Sequence, residues 1–319
     1  MLEIAVSRLI ICSLLSIQPL SVSANLEQLN YPSDAKLLII HADDAGMSHS
    51  VNEATLDAMQ KGSVSSAAIM VPCPWFLEIA EFSRQYPEMD FGLHLTLTSE
   101  WKHYRWRPVA DPSKVPGLID EEGYFWKSVE DVVGHATMEE VELEIRAQID
   151  RALAFGINPS HIDSHMGTLF ATSEFLSVYL KVAIEYGIPP MMLDPADPEV
   201  KKLLEERGIS YSDSTIQEIY AAKVPLLNHL NTGEDGNTYQ TRKAAYYQAI
   251  RDIKPGVNQI IVHLAGDDAE IQNITNAWQK RYDEFRIFTD PELKNLIEDL
   301  NIELIGWRKM KDIMPRQNR

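Results

Sequence analysis

The sequence predicts an α/β fold in which parallel strands form a sheet and helices lie outside it. From Lys36 onward, short aliphatic runs alternate with longer runs of helical spacing. The strand-type runs also end in polar residues, and sites in parallel α/β folds form at the carboxyl ends of strands. Such alternation builds a parallel sheet that is either open or closed as a barrel.

The individual elements follow from local pattern and from turn residues. Short apolar runs predict strands at 36–42, 64–72, 90–98, 157–167, 188–194, 258–266 and 302–307. Amphipathic runs, several of which end at glycine or proline, predict helices at 51–62, 75–87, 138–156, 173–187, 198–208, 242–253 and 290–300. The segment 99–135 is irregular, and 209–236 is ambiguous. The sequence has no internal repeat, low-complexity tract or linker, so residues 25–319 are predicted to form one domain.

The first 24 residues have the pattern of a signal peptide. Arg8 precedes the apolar stretch LIICSLLSI, and Val22 and Ala24 occupy the positions of a signal-peptidase site. The apolar stretch is too short to span a bilayer, so no membrane-bound mature form is expected. We therefore expect the segment 1–24 to be removed and the mature protein to be exported, either periplasmic or secreted.

Charge and cysteine content restrict the partners and the means of stabilisation. The net charge is −18, whereas nucleic acids and anionic membranes attract clustered positive charge, so neither is an expected partner. Cys12 lies in the predicted signal peptide and only Cys73 would remain, so the mature fold must rest on its core rather than on a disulfide. The oligomeric state, a homodimer included, is left open.

Histidines at strand ends are the most informative polar residues. Five of the nine lie in or at the end of a strand candidate: His41, His94, His161, His165 and His263. A single histidine there is more often a buried residue with satisfied hydrogen bonds than a ligand. Five of them at the same end of successive strands favour a site, although a buried polar network without chemistry is the alternative.

The stretch HADDAGMS places Asp43 and Asp44 at the end of the first strand candidate, where burying an unpaired carboxylate would be costly. Successive strand residues point to opposite faces, so both can serve one site only if the chain turns, which Gly46 permits. One aspartate and two histidines would leave coordination positions open, as in catalytic metal sites. Because a metal-bound carboxylate is a poor base, the two aspartates are expected to divide metal binding and proton transfer.

The two-residue strand period also groups the other polar residues. In GLHLTLT, His94 shares one face with two threonines, and the leucines share the other face. In HIDSH, Asp163 shares a face with His161 and His165 if the chain is extended. Asp163 is therefore expected to hydrogen-bond a histidine and fix its tautomer, as carboxylates behind metal ligands do.

Four stretches, HADDAGMSHSVNEA, GLHLTLTSEW, HIDSHMG and IIVHLAG, resemble in order and spacing the motifs of the YdjC-like carbohydrate deacetylases. The resemblance covers about 36–266. It implies a (β/α) barrel-like fold, and this expectation includes a distorted or incomplete barrel. It also implies a hydrolase that removes acetyl groups from N-acetylated sugars, small or oligomeric, with a divalent metal ion, magnesium or zinc.

The resemblance assigns roles to individual residues. It implies that Asp44, His94 and His165 bind the metal and that Asp43 is the base that activates water. It implies that His263 is a candidate acid for the leaving amine. This chain departs from the family twice, because SHMGTLF lacks a further histidine and HLAGDD replaces His-Pro-Gly. The departures concern substrate contacts and His263, and the metal triad is retained.

Two other functions are compatible with parts of the pattern. A metal-dependent hydrolase of another bond, such as a phosphoester, would use a similar site, but few basic residues lie near the motifs. A non-catalytic exported carbohydrate-binding protein should lack a base or ligand, and this chain lacks none of them. The aromatic residues of 99–135 are expected either to stack on sugar rings or to anchor a long loop; they are Trp101, Tyr104, Trp106, Tyr124, Phe125 and Trp126.

Overall fold

The protein is described by a computed structural model that covers residues 26–206, 208–234 and 236–315, and the predicted signal peptide lies outside them. These residues contain a sheet of seven strands, and every pairing in it is parallel. The strands are β1 (Lys36–Ala45), β2 (Ser66–Ile69), β3 (Phe91–Leu95), β4 (Ile162–Ser164), β5 (His229–Asn231), β6 (Gly256–His263) and β7 (Ile302–Leu304). Their order is β4-β3-β2-β1-β6-β5, with β7 beside β1. The predicted parallel α/β architecture is confirmed.

The central strand is β1, which is buried along all of its length after Lys36. One edge pairs with β6 from Lys36 to Asp43. The other edge pairs first with β7, up to Leu38, and then with β2, from His41 onward. Neighbouring strands on both sides therefore fix the carboxyl end of β1 in position.

The sheet curls into an incomplete barrel whose irregular side lies between β4 and β5. Among the residues described there, the pairing continues through two isolated parallel bridges, Ile162 with Pro190 and Leu193 with Leu227. Met191 N–H donates to the carbonyl of Ile162 over 2.8 Å. The sequence predicted a strand at 188–194, but Pro189 and Pro190 have no N–H to donate, so bridges replace a continuous ladder.

Helices surround the sheet. They are α1 (His49–Lys61), α2 (Phe76–Gln85), α3 (Val129–His135), α4 (Met138–Ala154), α5 (Ser173–Tyr186), α6 (Pro198–Glu206), α7 (Asp213–Ala222), α8 (Tyr239–Arg251), α9 (Ala269–Ile274), α10 (Trp278–Phe288), α11 (Pro291–Asp299) and α12 (Trp307–Lys311). Side chains cap several of them; Ser48 accepts from Val51 N–H at the start of α1, and Thr137 forms a capping box with Glu140 on α4. Of the described helices, none has the length and apolar character to cross a membrane.

Alternate residues of β1 pack into two different cores. Leu38 and Ile40 belong to the large core. Leu37 and Ile39 point the other way, into a small core that contains Trp307 of α12. Because the strand period is two, His41 and Asp43 continue the face of Leu37 and Ile39 toward the carboxyl end. The sheet interior is therefore apolar where β1 begins and polar where it ends.

The irregular segment 99–135 is tied to α4 by a buried carboxylate. Glu144 accepts hydrogen bonds from the backbone N–H groups of Val109 (3.0 Å) and Ala110 (2.8 Å), and from the side chain of Gln148 (2.8 Å). Burial raises the pKa of Glu144 to about 7, although these donors favour the ionised form. Each of these three N–H donors thus has an acceptor. The energetic cost is the removal of the Glu144 carboxylate from water.

This buried carboxylate predicts a specific pH dependence of stability. A carboxyl group whose pKa is higher in the folded than in the unfolded state stabilises the fold less as pH rises. For Glu144 this loss occurs between the pKa of the unfolded state, about 4.5, and the pKa of the folded state, about 7. We therefore expect the free energy of unfolding of the wild type to fall over this interval relative to that of Glu144→Gln. Urea unfolding across the interval measures the difference, with Glu139→Gln, at an exposed position on the same helix, as the control. Parallel pH profiles of wild type and Glu144→Gln would contradict this assignment.

Candidate metal centre

The polar residues predicted from the sequence meet at the carboxyl ends of the strands. Asp43 and Asp44 lie near the end of β1, His94 lies in β3, and His263 ends β6. His165 directly follows β4 and begins the short 3₁₀ segment His165–Phe170. Strand register places Asp43 beside His263 across the β1–β6 pair. All five predicted site residues therefore lie around one point of the fold.

The backbone at Asp44 brings both aspartates to this point. Its φ is +67°, a left-handed conformation that aspartate adopts more readily than most residues do. The register with β2 shifts between Ala42 and Ala45, so the strand is irregular there. Gly46 follows with φ +94°, and its N–H donates to Asn52 Oδ1 over 2.6 Å. The turn expected at Gly46 thus already begins at Asp44.

Three donor atoms converge in the arrangement of a cation site. Asp44 Oδ1 lies 3.5 Å from His94 Nε2 and 3.4 Å from His165 Nδ1, and the two nitrogens are 3.2 Å apart. All three residues are buried. Among the described residues, Asp44 Oδ1 has no hydrogen-bond partner. A buried, unpaired carboxylate oxygen beside two imidazole nitrogens fits a divalent cation, which would satisfy all three.

A second carboxylate orients His94. Asp163 Oδ1 lies 2.6 Å from His94 Nδ1, which leaves Nε2 directed at Asp44. The other oxygen of Asp163 lies 2.9 Å from His41 Nε2. Burial raises the pKa of Asp163, but His94 and His41 outweigh it and hold the pKa well below its ordinary value. Asp163 is therefore an anion that fixes the tautomer of a histidine facing the cation site.

Glu100 has the same relation to His165, and the sequence prediction missed it. Its Oε2 lies 3.2 Å from His165 Nε2, so Nδ1 is left to face Asp44 and His94. Burial lowers the pKa of His165, but Glu100 and Asp44 together raise it to about 10. The only signal in the sequence was one glutamate after the strand of His94, and a surface loop would give the same signal.

Asp43 lies next to the three convergent atoms but is not one of their residues. Its Oδ1 is 3.2 Å from His41 Nε2, and its Oδ2 is 3.8 Å from the Nε2 atoms of both His94 and His263. Burial lowers the pKa of His41, but Asp163 and Asp43 raise it to about 10. A charged His41 thus lies between two carboxylates, and one of them is Asp43.

His161 is not in the site, although it shares the pattern of the other histidines. Its ring stacks on Trp307 at 5.0 Å between centroids, and its Nδ1 lies 2.9 Å from Ser160 Oγ. Burial holds the pKa of His161 well below its ordinary value. A Cβ at Gly92 would lie 2.2 Å from this ring, so Gly92 is required for His161 to fit. His161 is therefore a packing residue of the sheet interior.

Arg281, on α10, is a further residue that the sequence prediction missed. Its Nη2 donates to Asp44 Oδ2 over 2.6 Å and leaves Oδ1 directed at the two histidines. Burial raises the pKa of Asp44, but Arg281 and then His165 lower it well below its ordinary value. Asp44 is thus ionised and held in one orientation. The site is built on opposite charges that are largely excluded from water.

The site lies in a cavity of about 810 Å³ lined by Asp43, Asp44, His94, His165 and His263, among others. None of the six aromatic residues in 99–135 is among its described lining residues. Trp106 and Phe125 are buried in the large core, and Tyr104 donates its hydroxyl to the carbonyl of Met47. These aromatics anchor the segment, and of the two interpretations left open the structure supports this one.

The fold and the site define a class: a parallel α/β protein of incomplete-barrel form with an aspartate–histidine centre at the carboxyl ends of its strands. The chain matches the family model described as YdjC-like protein over residues 37–299. It therefore belongs to the YdjC-like family, as its motifs suggested.

Related proteins of known name support this membership. A carbohydrate deacetylase of Thermoanaerobacter pseudethanolicus is 28% identical over 276 residues, which cover 86% of this chain and 100% of the relative. A carbohydrate deacetylase of Thermus thermophilus is 26% identical over 281 residues, which cover 88% and 95%. A solved structure from Enterococcus faecalis, named for cellobiose-phosphate cleavage, is 28% identical with a TM-score of 0.70 and covers 86% of this chain and 99% of that chain.

The contact between Glu100 and His165 predicts a contribution to cation affinity. Loss of a carboxylate behind a metal-binding histidine costs about 10- to 100-fold in affinity. We expect Glu100→Ala to weaken zinc binding, measured by calorimetry, by this factor. Glu100→Gln should lose less, because its amide oxygen can still accept from His165 Nε2–H.

Glu130→Ala is the control for this measurement, because Glu130 is an exposed carboxylate that also lines the cavity. Equal zinc affinities of wild type and Glu100→Ala would show that Glu100 does not orient His165.

Proposed function

We propose that the protein is a metal-dependent carbohydrate deacetylase that releases acetate from N-acetylated sugars, with 25–319 as one catalytic domain. The observation that carries the proposal is the pairing of a three-donor cation site with a separate carboxylate, Asp43, on the floor of one cavity. The names of the relatives point to the same reaction. Cation binding and proton transfer would thus fall to different aspartates.

Asp44, His94 and His165 would hold the cation. Two imidazole nitrogens and one carboxylate oxygen form a donor set that suits zinc better than magnesium, which prefers oxygen ligands. When bound, such an ion lowers the pKa of a coordinated water and polarises a carbonyl oxygen. Arg281 and Asp163 would keep the carboxylate and one imidazole in place before the ion binds.

Asp43 is proposed as the general base. It faces the cavity, it is nearly buried, and it is not one of the three convergent donors. It would take a proton from the water that adds to the acetamide carbonyl. His41, 3.2 Å from Asp43 Oδ1, would hold this carboxylate with its Oδ2 toward the cavity.

His263 is proposed as the acid. Its Nε2 lies 3.8 Å from Asp43 Oδ2, and its half-buried side chain lies at the cavity wall. Its backbone N–H donates to Glu284 Oε2 over 2.7 Å, which fixes the end of β6. A proton from His263 would go to the nitrogen as the C–N bond breaks, giving acetate and a free amine.

Neither alternative function is supported as well. A phosphoester substrate would need cationic groups, and the one lysine or arginine among the described lining residues, Arg281, is already paired with Asp44. A carbohydrate-binding protein without catalysis would not need a separate buried carboxylate beside a cation site.

We also propose export through the segment 1–24 to the periplasm or beyond. Mass determination of the mature N-terminus in a cell fraction would test it.

The proposed reaction predicts dependence on a metal ion. The purified protein should release acetate from N-acetylglucosamine oligosaccharides, lose this activity when a chelator removes the ion, and regain it with zinc more than with magnesium. Acetate is measured enzymatically, and the same chain with His94→Ala is the control for contaminating activity. Full activity after exhaustive chelation would contradict the proposed chemistry.

The two aspartates predict a separation between binding and turnover. Asp43→Asn should bind zinc nearly as the wild type does and lose roughly 10²- to 10⁴-fold in kcat, the usual contribution of a general base. His94→Ala should lose the ion itself. Calorimetry and acetate release on both variants make the comparison. An Asp43→Asn protein with near-wild-type kcat would refute Asp43 as the base.

A further inference from the structure

The cavity has two chemically different parts. Most of its ionisable groups cluster at the strand ends around Asp44. Much of the remaining lining is apolar and includes an aliphatic wall, which we define by six lining residues: Met192, Leu203, Leu204, Ile209, Leu230 and Ile261. These residues come from α6, β5, β6 and the segments beside them. A substrate that fills the cavity must therefore have both a polar part and an apolar part.

A sugar alone would not match this wall. Sugar hydroxyls lose their water hydrogen bonds in a closed site and need protein partners, whereas leucine and isoleucine side chains offer none. Sugar sites commonly present aromatic rings, and Phe170 and Tyr211 line this cavity, but aliphatic side chains outnumber them in the described lining. The cavity volume, about 810 Å³, also lies in the range that holds drug-sized ligands rather than one small ring.

The composition of the cavity rim points the same way. Met166 lines the cavity and is 49% exposed, and Val133, also a lining residue, is 39% exposed. Leu203, Leu204 and Leu230 are only partly buried. Exposed apolar residues that line one cavity are typical of a binding site, and unbranched methionines adapt to flexible apolar ligands.

We propose that the substrate is an amphiphile, an N-acetylated amino sugar joined to a hydrocarbon group that lies along the aliphatic wall. The inference rests on the proposed function for the reaction at the polar end. The acetamide would lie beside Asp43 and His263, and the hydrocarbon group would extend toward α6. The wall then selects the substrate by the part of it that does not react.

The proposal predicts that activity depends on the length of an alkyl chain. In a series of methyl, butyl and octyl N-acetylglucosaminides, kept below micelle-forming concentrations, kcat/KM should rise about fourfold for each methylene until the wall is covered. This factor is ~0.8 kcal/mol per buried CH₂ converted to a rate ratio. A kcat/KM independent of chain length, with acetate still released, overturns the amphiphile and leaves the deacetylase standing.

Variants of the wall locate the effect. Leu204→Ser should reduce the octyl-to-methyl ratio of kcat/KM by roughly tenfold, because it replaces apolar contact with a hydroxyl. Leu77→Ser is the matched control, because Leu77 is an exposed leucine of α2 outside the cavity, and it should keep the wild-type ratio. An unchanged ratio in Leu204→Ser would show that the alkyl chain binds elsewhere and would overturn the assignment of the wall.

Binding separates this proposal from the proposed reaction. Calorimetry with Asp43→Asn should show tighter binding of octyl than of methyl N-acetylglucosaminide, and Leu204→Ser in that background should remove the difference. This result, without acetate release by the wild type, would refute the deacetylase and support the amphiphile site. Equal affinities, together with a dimer that Leu204→Ser dissociates, would assign the wall to a subunit interface and overturn the proposal.

Discussion

The site depends on one buried anion, Asp163. Its carboxylate is almost completely excluded from water and is balanced by two histidines, His94 on one oxygen and His41 on the other. The first contact directs His94 Nε2 toward Asp44. The second holds His41 beside Asp43. A single carboxylate therefore contacts both His94 of the candidate cation site and the histidine beside Asp43, the proposed base. Removing it would leave His94 Nδ1 without its acceptor and His41 Nε2 with Asp43 alone.

The central strand determines where this anion finds its partners. Along one face of β1, Leu37 and Ile39 fill the apolar end of the sheet interior, and His41 and Asp43 follow at the polar end. Asp44 would point away from that face in an ideal strand. Its left-handed backbone, which costs on the order of 1 kcal/mol, returns it to the site. Pairing on both edges of β1 holds this conformation.

Sequence patterns predicted the parallel α/β fold. They also placed five residues correctly at strand ends, because the two-residue period of a strand and the order of the strands are visible in the sequence; the five are Asp43, Asp44, His94, His165 and His263. They did not predict α10, the helix of Arg281. Its buried residues are Arg281, Asp283, Glu284, Ile287 and Phe288, so charged residues interrupt the apolar period of its inner face. They also could not distinguish His161 from the histidines of the site. The two-residue period of a strand predicts the face on which a side chain lies, but not how deep in the sheet interior it lies.

In the proposed function, reaction and selectivity would lie on different parts of the chain. The proposed acid–base and cation-binding groups lie on β1, β3 and β6 and directly after β4, where neighbouring strands fix their geometry. Much of the aliphatic wall comes from 192–209 and β5, on the side where isolated bridges replace a regular ladder. Loops and short elements tolerate change that paired strands do not. On the proposed function, substitutions on this side of the barrel would change the substrate and leave the aspartate–histidine centre in place.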